Sequence, residues 1–138
     1  MKKLFFFSNT ILKDLALLVL RAATGLMMAT HGWTKISDFS AKLQTFSDPI
    51  GLGPAVSLQL VIFAEFFCAL FLAIGFLTRL SLIPLIIAMS VAAFIAHGGD
   101  PFSMQEKSLL FLTIFVCLFL LGPGKYSVDG QINKKNRY

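Results

Sequence analysis

Two charged residues lie where charge is hardest to keep. Glu65 sits near the centre of the apolar run Ala55 to Leu77, and Arg21 lies inside an earlier apolar run. A lone charge at bilayer depth costs at least about 2.5 kcal/mol, so such a residue is expected to have a partner or a task. The sequence supplies opposite signs, and the expectation is an Arg21 to Glu65 pair forming a buried polar centre. Two histidines, His31 and His97, and one lysine, Lys35, accompany them. Carboxylate, guanidinium, imidazole and ammonium together could bind a polar headgroup with a greasy tail, or carry protons toward one.

The elements that must position these groups are helices in lipid. The chain is 57% hydrophobic and 14% charged over 138 residues, more apolar surface than one small soluble core can hide. Run length predicts helices at about 15–32, 55–77, 80–97 and 107–122, each near the roughly 17–25 residues of a crossing. The fourth is short and is expected to recruit Met104 to Lys107. Pro84 is placed in the first turns of the third, where a missing N–H is cheapest. The fold class is therefore all-α: an integral-membrane four-helix bundle in one domain, residues 1–138, with no room for a separate soluble domain.

Four crossings put Lys2, Lys3, Lys13, Arg79, Lys125, Lys134, Lys135 and Arg137 on one side, and Lys35, Lys42 and Lys107 on the other. That bias predicts cytoplasmic N- and C-termini in a bacterial-type inner membrane. The net charge of +5 is then a topology signal and a contact for anionic lipid, and no nucleic-acid partner is indicated. Met1 to Phe7 resembles a signal peptide, but Ser8, Asn9, Thr10, Lys13 and Asp14 interrupt it and no cleavage site follows. It is expected to remain and lie at the membrane surface.

Helical periodicity groups Arg21, Thr24, Met28, His31 and Lys35 in one stripe, beside Ala22, Gly25, Ala29 and Gly32 at the spacing that lets helices approach closely. Glu65, Cys68, Ala69 and Leu72 share a face, as do Ser90, Ala93 and His97, and Glu106, Leu110, Thr113 and Cys117. Each stripe is expected to face protein. His31 and His97 fall at one level, near Lys35 and Glu106. The bland alternatives are a structural Arg/Glu clamp and histidines that cap helix ends. No metal site is expected: a histidine pair without further ligands is a poor haem or copper site, and no attachment motif is present. Cys68 and Cys117 lack C-x-x-C spacing and read as small hydrophobes. Asp100 reads as a surface acid in a turn.

The order Arg21 with Gly25, His31-Gly32-x-x-Lys35, Glu65 with Gly75-Phe76-Leu77-Thr78-Arg79, His97-Gly98, Glu106-Lys107 and Gly122-Pro123-Gly124-Lys125-Tyr126-Ser127-Val128-Asp129 resembles the DoxX family of small four-helix membrane proteins, over roughly residues 14–130. The resemblance implies a link to quinone chemistry: the family takes its name from a small subunit of a terminal quinol oxidase with thiosulfate:quinone oxidoreductase activity, and other members are tied to thiol or oxidative stress. On that basis the chain is expected to be a non-catalytic accessory subunit of a quinone-linked oxidoreductase, with Arg21, His31, Lys35, Glu65 and His97 as binding residues. Quinone is its expected cofactor, with none bound covalently. Its partners are the lipid bilayer and other redox subunits. A transporter of a small molecule or lipid, or a structural membrane adaptor, are the competing readings.

Overall fold

The computed structural model describes residues 10–135; the expectation that Met1 to Phe7 lies at the membrane surface and the charges of Lys2, Lys3 and Arg137 fall outside them. The described residues form six helices and no strand. They are α1 (Thr10–Ser37), α2 (Phe39–Thr45), α3 (Pro54–Ile74), α4 (Thr78–Ala96), α5 (Phe102–Leu121) and α6 (Val128–Lys135). Helices α3, α4 and α5 are long and apolar enough to cross a membrane. Helix α1 packs along α3, α3 on α4, and α4 on α5, while α5 returns to touch α1. The core they enclose includes Met28, Ala69, Leu72, Leu82, Leu85, Met89, Phe111 and Phe115. Outward faces carry Val19, Leu26, Leu60, Phe67, Ile87, Phe94, Leu110 and Leu120, an apolar coat suited to lipid.

Two glycines set the α1–α3 register. A Cβ on Gly25 would stand 2.7 Å from the Ala69 carbonyl oxygen, and one on Gly32 would stand 2.6 Å from the Phe66 nitrogen. Both obstacles are main chain, so neither can swing aside. Replacing Gly32 with alanine is expected to push the helices apart and cost about 1–3 kcal/mol. A thermal melt in detergent checks this, and an unchanged midpoint would contradict the contact.

Helix ends follow the glycines and one carboxylate. Helix α3 stops at Ile74, short of the end of the apolar run, because Gly75 (φ 73°) and Leu77 (φ 47°) turn left-handed. Asp129 then caps α4, accepting the N–H of Leu77 at 2.9 Å and of Thr78 at 2.8 Å, while its own N–H bonds the Gly75 carbonyl. Pro84 falls in the second turn of α4, beyond the position where its missing N–H is free of cost. Helix α5 begins at Phe102 and so includes the Met104 to Lys107 segment.

The stripe expected on α5 faces the wrong way. Glu106, Leu110, Thr113 and Cys117 are exposed, and Phe111, Phe115 and Leu118 fill the interior. Thr113 satisfies its hydroxyl on the Leu109 carbonyl of its own helix at 2.8 Å, so nothing draws it inward, whereas the phenyl rings gain from packing.

Candidate functional site

The expected Arg21–Glu65 pair does not form. Glu65 is instead bonded to Lys35, Nζ to Oε2, at 2.5 Å. Arg21, only 1% exposed, turns to the opposite end of the helices. Its Nη1 donates to the Pro123 carbonyl, its Nη2 to the Tyr126 carbonyl at 2.8 Å, and its Nε to the Ala73 carbonyl at 3.4 Å. The physical reason is level. Arg21 lies against Gly75, ten residues along α3 from Glu65, or about 15 Å at 1.5 Å per residue. Main-chain carbonyls of the 122–127 turn offer the guanidinium acceptors within reach, with Asp129 close enough to act on its charge. The buried Arg/Glu centre is thus two separate centres.

The Lys35–Glu65 pair borders a cavity of about 340 Å³ at the other end of the helices. His31, Lys35, Glu65, His97 and Lys107 line it together with Met28, Met89 and Phe111. Four of the five residues singled out from sequence therefore share one wall space, and Arg21 does not belong to it. Lys107, on α5, was the missed member: Glu106 was expected here but is exposed outside. The Lys35 and Lys107 ammonium groups outnumber the Glu65 carboxylate.

Each side chain is held by its element. The stripe of α1 carries Met28, His31 and Lys35 inward, and the Gly32 contact brings that face against Glu65. Lys35 also reaches the His31 carbonyl at 3.4 Å, and the His31 ring meets Phe111 edge-on at 6.2 Å between centroids. Glu65 sits in a π-helical stretch, Phe63–Cys68, and His97 follows a second one, Ala92–Ala96. Such widened turns re-aim the residues around them and recur at functional sites. Both border this cavity. His97 Nδ1 lies 2.7 Å from Asp100 Oδ2, so the turn acid is a histidine partner, a role its loop sequence did not reveal. Cys68 is buried and Cys117 is exposed, both as free thiols. Among the described residues no three His, Cys, Asp or Glu side chains converge as a metal site.

The connection between α2 and α3 covers the cavity with Phe46, Ser47 and Pro49. Asp48 ties it down, accepting the N–H of Gly53 at 2.8 Å, the hydroxyl of Ser57 at 2.9 Å and the N–H of Leu52 at 3.0 Å. The Gly53 N–H above all holds the Asp48 carboxyl below its usual range. A depressed folded value means the stabilisation is complete above the unfolded value of about 3.9 and is lost as pH falls through the folded one. Hydrogen exchange of residues 46–53 is expected to rise as pH is lowered through that range, after correction for the intrinsic rate. The Asp48→Asn variant should exchange faster at neutral pH and lose the pH dependence; a variant that keeps it would contradict the assignment.

The DoxX family model matches residues 16–98. Inner membrane protein YqjF of Escherichia coli (strain K12) is 36% identical over 130 residues, which cover 90% of this chain and 97% of that protein. No solved structure matches the chain. With three helices apolar enough to cross, a family match over more than half the chain and an inner-membrane relative, this is a multi-pass inner-membrane protein that belongs to the DoxX family.

Proposed function

We propose that the chain crosses the inner membrane as a single-domain four-helix bundle of α1, α3, α4 and α5, with both termini cytoplasmic, and serves a quinone-linked redox system as an accessory subunit. The cavity then opens toward the outer face. Two points support the topology. Arg21 has its guanidinium bonded to carbonyls, which removes the chief obstacle to α1 as a span. Among the described residues Lys13, Arg79, Lys125, Lys134 and Lys135 also outnumber Lys35, Lys42 and Lys107 at the other end.

The observation that carries the functional reading is the composition of the cavity wall. Hydrogen-bond donors from His31, Lys35 and Lys107 share the cavity wall with Met28, Met89 and Phe111, the mixture that a flat, apolar ring with carbonyl oxygens requires. The volume of about 340 Å³ lies within the range of small-molecule sites and suits a ring more than its tail. A bound quinone supplies two-electron, two-proton redox chemistry, with electrons coming from a partner subunit. The residues of this chain do the rest. Lys35, Lys107 and His31 orient the oxygens, the Met and Phe side chains exclude water from the ring, and Glu65 exchanges a proton beside Lys35.

Trp33, the one tryptophan, stacks on Phe66 next to Glu65 with centroids 5.8 Å apart and provides a built-in reporter. Titrating the purified protein with a short-tailed quinone is expected to quench Trp33 along a saturating curve. Quenching that rises linearly without saturation would reject the site. Transport of a small solute by the protein alone, without any redox partner, would replace this reading with the transporter one.

A further inference from the structure

A second concave site lies at the far end of the helices from the cavity. A groove of about 510 Å³ runs between the start of α4, the end of α5 and helix α6, with Leu77, Arg79, Leu80, Leu121 and Ile132 on its walls. Arg79 is exposed and, among the described residues, has neither a hydrogen bond nor an ion pair. The carboxylate nearby in the groove, Asp129, is committed: both its oxygens accept the N–H groups that cap α4. Among the described residues the five donors of the guanidinium meet no protein acceptor. Lys134 and Lys135 in the last turn of α6 add to the positive field, and Lys125 stands in the turn before α6.

We propose that this groove binds the phosphate headgroup of an anionic phospholipid through Arg79. Level is the first argument. Apolar helices α3 and α5 end, and α4 begins, around Gly75 to Thr78 and Gly122, so Arg79 stands where the hydrocarbon gives way to headgroups. Phosphates occupy that level in a bilayer, and basic clusters beside a span are the usual sign of anionic-lipid contact. The second argument is the two-part surface. Leu80, Leu121 and Ile132 are 61%, 52% and 47% exposed directly beside the charge, which suits acyl chains attached to a phosphate and wastes apolar surface on a free anion. Planar guanidinium matches a phosphate with paired N–H donors, where an ammonium would offer only a point charge. The site is remote from the cavity and does not depend on what the cavity binds.

Native mass spectrometry of the full chain in detergent tests this, with phosphatidylglycerol and phosphatidylcholine offered at equal concentration. Wild-type protein is expected to retain phosphatidylglycerol preferentially. Arg79→Gln should lower that retention about fivefold, the worth of one interfacial basic residue, while Arg79→Lys, which keeps the charge and loses the planar fork, should recover only part of it. Ile132→Glu, which sets a carboxylate in the groove and leaves Arg79 in place, should lower it as well. Lys42→Gln, at the other end of the molecule, should change nothing. Equal retention of the two lipids would overturn the proposal, as would undiminished phosphatidylglycerol on both Arg79→Gln and Ile132→Glu. Displacement of the lipid by glycerol phosphate at equal concentration would show a free-phosphate site and reject the lipid.

Discussion

Arg21→Leu is expected to cost roughly 2–6 kcal/mol of stability, the largest loss of any substitution considered. The side chain is fully enclosed, and its removal strips a donor from the carbonyls of Pro123 and Tyr126 and a longer contact from Ala73. Each buried acceptor left without a partner costs about 1–3 kcal/mol, and leucine cannot fill the space of the guanidinium. The damage should begin in the 122–127 turn, which Arg21 joins to α1 together with Asp14, whose carboxylate accepts the Lys125 N–H at 3.1 Å. Loosening there frees α6, and with it the Asp129 cap on α4. Lysine at position 21 should recover only part of the loss, since one ammonium replaces a planar fork aimed at separate carbonyls. A thermal melt in detergent, with limited proteolysis of residues 122–130, reads both effects. An Arg21→Leu protein that melts at the wild-type temperature would show that the turn is held by something else.

Glu65→Gln is expected to weaken quinone binding by on the order of tenfold or more, with membrane insertion unchanged. The carboxylate holds the Lys35 ammonium at 2.5 Å, and an amide offers a neutral acceptor in its place. Lys35 then loses the contact that aims it along the cavity wall, and no group at position 65 can take up or release a proton. Insertion should survive because the substitution removes a buried charge and leaves shape and helix propensity nearly constant. Lys35→Met, which removes the ammonium and leaves the carboxylate unpaired, should be less stable than Glu65→Gln. The Trp33 titration measures the first effect, and an unaltered curve in Glu65→Gln would remove Glu65 from the site.

The sequence made the class of protein plain and left the pairing of its charges open, for physical reasons visible at particular residues. Long apolar runs are a one-dimensional signal, so helices α3, α4 and α5 could be placed from composition. Burial of Arg21 and Glu65 was legible for the same reason. Their partners were not. Relative sliding of α1 and α3 is set by Gly25 on Ala69 and Gly32 on Phe66, a backbone contact between segments more than 30 residues apart. Once that register is known, Lys35 must stand across from Glu65. Arg21 finds carbonyls, and a carbonyl carries no sequence signature at all. The α5 stripe failed because Thr113 could bond its own helix, and a polar residue with a local partner gives no clue to which way it points. Lys107 becomes a site residue only through the convergence of α4 and α5 on the cavity, and Asp100 only through its bond to His97.

The proposed function rests on a quinone held in the cavity of His31, Lys35, Glu65, His97 and Lys107. Its most direct test is an oxidised-minus-reduced ultraviolet difference spectrum of the full chain purified alone with native lipids. The predicted result is a quinone signature above that of the co-purified lipid, present in wild type and lost in Glu65→Gln. A spectrum with no quinone beyond the lipid background, at saturating added quinone and with the fold intact, would contradict it.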